Sequence, residues 1–159
     1  MEKTYEITAL ESPIKLIGKS IRTTNAEGKS IAEISNYWME FYKAEEHLKI
    51  PNKTDENYCF GVYSNYESGA EGYYDFTIAY QVDSFDNIPD GFTAITIEPG
   101  NFAKFKEEAA MDIQTKCSNL WNTIWNSDID RAFQIDYEYY EVATTCGENP
   151  QMEYFISVK

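Results

Sequence analysis

The sequence predicts an α+β fold in which the order of strand or strands, helix, strand and strand occurs twice along the chain. Two observations lead to this prediction: apolar residues alternate with a period of two over several short segments, and they follow three- and four-residue steps in two longer ones. The 159 residues, 43% apolar and 25% charged, suffice for one domain with its own core. We expect a single domain over residues 1–159, with pseudo-repeats at about 1–88 and 89–159, antiparallel sheets, two main helices and a central ligand groove.

The first half shows two strand patterns, one helical pattern and two further strand patterns. The first two segments flank Pro13, so we expect the second strand to extend the first or to pair with it. Ser30 and Glu33 have the spacing of a capping box, and the apolar positions through Trp38 then follow helical steps. The expected elements are strands at 5–10 and 14–21, a helix at 31–46, and strands at 58–63 and 73–82.

The second half repeats this order after a link at residues 88–91. Its helical pattern has an apolar stripe, with Trp121 and Trp125 beside it. Residue identity between the halves is negligible, so the predicted repeat concerns only the order of the elements. The expected elements are strands at 92–97 and 101–106, a helix at 111–125, and strands at 131–142 and 152–158.

The charge balance favours cationic partners. Lys and Arg number 13 and Asp and Glu number 27, which leaves a net charge of −14. Such a surface repels phosphate backbones and anionic membranes, so we expect no direct binding to nucleic acid and no membrane association. Cationic small molecules are attracted instead. The alternative is that the acidic residues serve solubility alone.

Counting residues excludes several chemistries. His47 is the single histidine, which is too few for a multi-histidine zinc site, and we expect no metal and no cofactor. Cys59, Cys117 and Cys146 are odd in number and widely spaced, so a disulfide framework is not expected. Reduced thiols and the lack of a signal-peptide pattern predict a cytoplasmic location. No stretch is long and apolar enough for a membrane span.

The segment at 131–142 contains the candidate site. On an extended strand, Asp136, Glu138 and Tyr140 fall on one face, while Tyr137 and Tyr139 fall on the other, which we expect to pack under a helix. The first face is either ordinary solvent surface or the lining of a concave seam. In a seam, a carboxylate surrounded by aromatic rings suits a bulky organic cation, because each ring adds a cation–π attraction of about 0.5–2 kcal/mol.

Several motifs, taken in their order, resemble the GyrI-like effector-binding domain. This domain senses ligands at the C-terminus of some bacterial AraC- and MerR-type transcription regulators and also occurs as a stand-alone protein. The resemblance covers nearly the whole chain. It depends on the segments at 60–63, 72–74, 88–91, 101–105, 136–140 and 152–156, together with Trp38, Trp121 and Trp125.

The resemblance implies a pair of pseudo-symmetric α+β repeats around a groove that binds lipophilic cations through a glutamate and aromatic side chains. Glu138 and Tyr140 match the family's strand pattern, and Trp38 matches the tryptophan of the first helix in the stand-alone group. Trp121, Trp125, Tyr63 and Tyr80 are expected near the groove. With Asp136 from the strand pattern, the predicted ligand-binding residues are Trp38, Tyr63, Tyr80, Trp121, Trp125, Asp136, Glu138 and Tyr140.

Three functions compete at this point. The leading prediction is a binder of cationic or amphipathic small molecules, for effector sensing, multidrug binding or sequestration. The second is a hydrolase that detoxifies cyclopropane-bearing electrophiles in the same groove, an activity described for some GyrI-like proteins. The third is a protein-interaction module resembling gyrase inhibitors. We favour the binder over the enzyme, and any regulation would act through a partner or by sequestering ligand, since no DNA-binding helices are expected in this sequence. A homodimer or a protein partner stays open.

Overall fold

The computed structural model describes residues 5–26, 29–68, 72–145 and 147–159. Its strands are β1 (Tyr5–Leu10), β2 (Ile14–Thr24), β3 (Tyr58–Ser64), β4 (Tyr73–Gln81), β5 (Thr93–Ile97), β6 (Gly100–Phe105), β7 (Asp136–Glu141) and β8 (Met152–Ser157). Its α-helices are α1 (Lys29–Lys43), between β2 and β3, and α2 (Ile113–Trp125), between β6 and β7. Short 3-10 turns cover Glu46–Lys49 and Val142–Thr144. The predicted α+β class, with antiparallel strands and two main helices, is confirmed.

The strands form one antiparallel sheet in the order β1-β6-β8-β7-β3-β4-β2-β5. The triplet β6-β8-β7 from the second half mirrors the triplet β2-β4-β3 from the first, and the two meet where β7 pairs with β3. Each half also places an outer strand on the other: β1 pairs with β6, and β5 pairs with β2. The middle of the sheet is therefore the junction between the halves.

Both faces of the sheet are buried. One face, which includes Phe76 and Tyr154, lies under the helices, and Phe41 of α1 packs against it. The other face consists of strand residues, among them Phe60 and Phe102, and it is buried because the sheet curls into a half-barrel. Burying one such aromatic side chain stabilises the fold by about 1.5–3 kcal/mol. A central strand in this sheet consequently has no solvent face.

Local details differ from the sequence predictions. The second strand, β2, neither extends β1 nor pairs with it. Instead β1 pairs with β6, and the Tyr5 and Phe105 rings on this strand pair lie 5.3 Å apart. The capping box is wrong as well: α1 already includes residue 29, and the Ser30 hydroxyl donates to Asn25 Oδ1 at 2.7 Å. The strand expected at 131–142 corresponds to β7, which begins only at residue 136. Phe133 has a φ of 53°, which is outside the extended region and interrupts the strand before that point. Cys146 lies outside the described residues.

Neither helix described between residues 5 and 159 has the length and apolarity that a bilayer-spanning helix needs.

Candidate functional site

Glu138 lies in the middle of β7, at the junction of the two halves, and is 3% exposed. Its neighbours on the same strand face are Asp136 and Tyr140, and this face packs under the helices. Tyr137 and Tyr139 instead point into the curled interior. The expectation that the Tyr137 face packs under a helix is therefore wrong. Alternation separates the two faces of a strand, but it does not say which face a helix covers when both are buried.

The carboxylate of Glu138 accepts hydrogen bonds from aromatic side chains. Tyr63 donates from its hydroxyl to Oε2 at 2.8 Å, and the Trp121 indole N–H donates to the same oxygen at 3.2 Å. Tyr140 donates to Oε1 at 2.7 Å, and its hydroxyl lies 3.3 Å from that of Tyr154. The ion pairs found among the described residues do not include Glu138. Neutral donors alone therefore stabilise this buried charge.

Burial shifts the proton equilibria of this cluster. Desolvation raises the pKa of Glu138, and the hydrogen bonds from Tyr140, Tyr63 and Trp121 oppose that rise. Desolvation also raises the pKa of Tyr63, Tyr140 and Tyr154 well above the ordinary tyrosine range. The phenols consequently remain protonated donors. A cation at the carboxylate would favour its charged form.

The raised pKa predicts a pH-dependent stability difference between the wild type and Glu138→Gln. The folded chain binds the Glu138 proton more tightly than the unfolded chain does. This carboxyl therefore lowers the free energy of unfolding as pH rises from its unfolded pKa, about 4.3, to its folded pKa. Urea unfolding at a series of pH values should show the variant gaining stability relative to the wild type with rising pH, and then a plateau. A constant difference would contradict the prediction.

Each helix brings one tryptophan to this cluster. Trp121 of α2 meets Tyr63 edge-on, with ring centroids 5.1 Å apart, and Trp38 of α1 meets Tyr140 edge-on at 5.4 Å. Trp125 lies one turn beyond Trp121, at 5.9 Å, and is 57% exposed. Aromatic side chains from α2 and from both central strands therefore contact Glu138, Trp38 of α1 packs against one of them, and Trp125 extends this aromatic surface to solvent.

Gly61 makes room for the carboxylate. It lies opposite Glu138 in the β3–β7 pairing. A Cβ atom at Gly61 would lie 2.7 Å from Glu138 Oε1 and 3.1 Å from the Phe76 ring. Sequence reasoning assigned Gly61 no role. The available signal was a glycine inside a strand pattern, which often marks a close approach.

Asp136 belongs to a separate polar cluster on the same face. It is fully buried, and Oδ1 accepts from the backbone N–H of Ser157 at 2.7 Å and from its hydroxyl at 2.9 Å. Oδ2 accepts from the Tyr66 hydroxyl and from Arg131 Nη2, the latter at 2.8 Å. The charge of Asp136 is thus balanced within the protein. Sequence reasoning missed Tyr66 and Arg131, which come from segments outside the regular strands.

Tyr80 is buried at a different position. Its hydroxyl lies 2.8 Å from that of Tyr42, and Lys53 Nζ lies 5.5 Å from the centre of its ring. Its hydrogen bond therefore joins β4 to α1, and it is not among the side chains that donate to Glu138.

Glu138 is buried in this structure. A cavity of ≈ 400 Å³ lies elsewhere, lined by residues that include Ser64, Thr77 and Gln134 but not Glu138. Within the described ranges, no three His, Cys, Asp or Glu side chains come together as metal ligands. Glu138 is 3% exposed, and Trp121, whose indole N–H donates to it, is half-buried.

Comparison with known proteins identifies effector-binding relatives. A family model described as "Cass2: Integron-associated effector binding protein" matches residues 6–158. The putative transcriptional regulator protein YobU of Bacillus subtilis (strain 168) is 24% identical over 148 residues, covering 91% of this chain and 92% of YobU. These matches confirm the resemblance to effector-binding domains of regulators.

Two solved structures share the fold over their whole length. The integron cassette protein VCH_CASS2, from the mobile metagenome of Vibrio cholerae, has a TM-score of 0.76 and 26% identity, with 99% of this chain and 97% of that chain covered. SAV2435, solved with tetraphenylphosphonium bound, has a TM-score of 0.79 and 18% identity, with 100% and 94% covered.

Proposed function

The chain belongs to the Cass2 family of integron-associated effector binding proteins, and from this premise we propose that its effector is a lipophilic organic cation. In this proposal Glu138 supplies the counter-charge. Tyr63, Tyr140, Trp38 and Trp121 form the walls of the site. Trp125 lines the entrance.

The buried, cation-free carboxylate of Glu138 is the observation that carries the proposal. Moving a carboxylate out of water costs several kcal/mol, and neutral hydrogen bonds offset only part of that cost. A ligand cation whose charge centre lies about 6 Å from the carboxylate would contribute about 3 kcal/mol at an effective dielectric constant of about 20. Such a carboxylate destabilises the empty protein and stabilises the complex, which is typical of a functional group.

The aromatic walls select the kind of cation. The ring of Trp121 contacts that of Tyr63, and the ring of Trp38 contacts that of Tyr140. A ligand that enters between them is therefore surrounded by π faces and edges. Cation–π attraction and apolar burial together favour a delocalised or quaternary cation over a small, strongly hydrated one. The tetraphenylphosphonium bound to SAV2435 has this chemistry.

The net charge of −14 supports the same ligand class. A negative surface raises the local concentration of cations and accelerates their association, and the effect weakens as salt screens it.

The proposed function is tested with two probes of the same shape and opposite charge. We expect tetraphenylphosphonium to quench tryptophan fluorescence saturably with one site per chain, because Trp121 contacts the carboxylate. The matched anion, tetraphenylborate, should not bind at the same concentrations. Isothermal titration provides the stoichiometry. Equal binding of both probes, or binding of neither, would contradict the proposal.

Asp136 and Tyr80, the other two predicted residues, lie outside the proposed cation site and support it. Asp136 contributes a second, internally balanced charge on the strand, and Tyr80 supports α1 through Tyr42. The hydrolase and protein-interaction alternatives stay predictions, as do the cytoplasmic location, the absence of nucleic-acid binding and any homodimer.

A further inference from the structure

Arg131 already occupies an aromatic cation site inside the protein. Its side chain is 13% exposed, and its Nη2 lies 2.8 Å from Asp136 Oδ2. Its guanidinium carbon lies 4.3 Å from the centre of the Phe133 ring and 5.9 Å from that of Trp121. The guanidinium thus has a carboxylate partner and two aromatic neighbours, which is the environment proposed above for an external cation at Glu138.

The carboxylates of Asp136 and Glu138 form one row along β7, and Trp121 lies beside both positions. Asp136 and Glu138 lie on the same face of β7, two residues apart, which is ~7 Å along an extended strand. Trp121 donates its N–H to Glu138 while its ring neighbours Arg131. Asp136 therefore has an internal cation, and Glu138 has none within the described ranges.

We propose that Arg131 determines the charge specificity of the site by occupying the position of a second ligand cation, so that the protein accepts monocations and rejects dications. This inference rests on the proposed function. A dication whose first charge is at Glu138 would place its second charge beside the Arg131–Asp136 ion pair, where the guanidinium cancels the attraction of Asp136 and leaves that second charge without a counter-charge.

Removing the Arg131 guanidinium would leave a second cation site beside the Asp136 carboxylate. Asp136 keeps three hydrogen bonds from other groups, the Ser157 N–H, the Ser157 hydroxyl and the Tyr66 hydroxyl. Phe133 and Trp121 would then flank a vacated space beside this charge. Arg131→Gln should therefore convert a site for one positive charge into a site for two.

The test uses a pair of two-ring pyridinium probes of nearly the same size. Methyl viologen carries a charge on each ring, separated by ~7 Å, which is the two-residue repeat of the strand. N-methyl-4-phenylpyridinium carries one charge. For the wild type we expect the monocation to bind more tightly. In Arg131→Gln the ratio of dication to monocation affinity should rise about tenfold.

Three further variants distinguish charge from structural damage. Arg131→Gln combined with Asp136→Asn removes both members of the pair and should return the ratio to the wild-type value. Arg22→Gln breaks the exposed pair with Asp75, whose atoms are 2.9 Å apart, and should leave the ratio unchanged. Asp136→Asn alone keeps the guanidinium without its counter-charge and should lower the ratio; it provides the measurement if Arg131→Gln does not fold.

The outcomes separate this inference from the proposed function. A wild type that binds neither probe nor tetraphenylphosphonium overturns the proposed function, and with it the role of Arg131. A wild type that binds the monocation, together with an unchanged ratio in every folded Arg131 and Asp136 variant, overturns the role of Arg131 alone.

Discussion

Glu138→Gln is expected to lower the affinity for tetraphenylphosphonium by about 100-fold, which corresponds to about 2.7 kcal/mol. Glutamine fills the same volume but lacks the charge. The variant therefore retains the aromatic walls and loses only the electrostatic attraction to the cation. Isothermal titration of both proteins at neutral pH measures the difference.

The same variant should be at least as stable as the wild type at neutral pH, because it no longer buries a charge that is 3% exposed and has no cationic partner among the residues that the structure describes. Glu141→Gln is the matched control, since it makes the same chemical change three residues later in the same strand. We expect the control to bind normally. Equal affinity in all three proteins would remove Glu138 from the site.

Gly61→Ala adds a single methyl group beside Glu138 and should lower both the stability of the protein and its affinity for the cation. The new Cβ would lie 2.7 Å from Glu138 Oε1, so the carboxylate or the strand must shift. The new Cβ would also lie 3.1 Å from the Phe76 ring. We expect a loss of about 1–3 kcal/mol in the free energy of unfolding. Affinity for the cation should also fall, because the displaced carboxylate loses its geometry relative to Tyr63 and Tyr140.

Gly100→Ala is the control for this change, because a Cβ at Gly100 has no neighbouring atom within 4 Å. Chemical denaturation and titration of the two alanine variants should show normal stability and binding for Gly100→Ala, with defects in both for Gly61→Ala. Normal binding by Gly61→Ala would mean that Glu138 tolerates the displacement, and would contradict the role given to Gly61.

The order of elements could be predicted from local pattern, whereas strand pairing could not. Alternation and helical steps depend on neighbouring residues, so the limits of β1 and of α2 were nearly correct. The pairing of β1 with β6, across the boundary between the halves, depends on how the sheet curls. The 3.6-residue and two-residue periods contain no information about that long-range choice.

The candidate site divides in the same way. The grouping of Asp136, Glu138 and Tyr140 on one face follows from the two-residue period of a strand, and that face was found. The difference between its two carboxylates follows from residues distant in the chain. Ser157, Tyr66 and Arg131 converge on Asp136, while Tyr63 and Trp121 converge on Glu138.

The amino-acid sequence was therefore sufficient to establish the class of fold, the acidic character and the residues that share a strand face with Glu138, since these depend on local pattern, on composition and on the geometry of a single strand. The folded chain alone established that one carboxylate is neutralised by an internal arginine and that its neighbour is buried without a cation from the described part of the chain. The reason is that burial and charge pairing are sums over groups that come together only when the sheet closes and the helices pack on it.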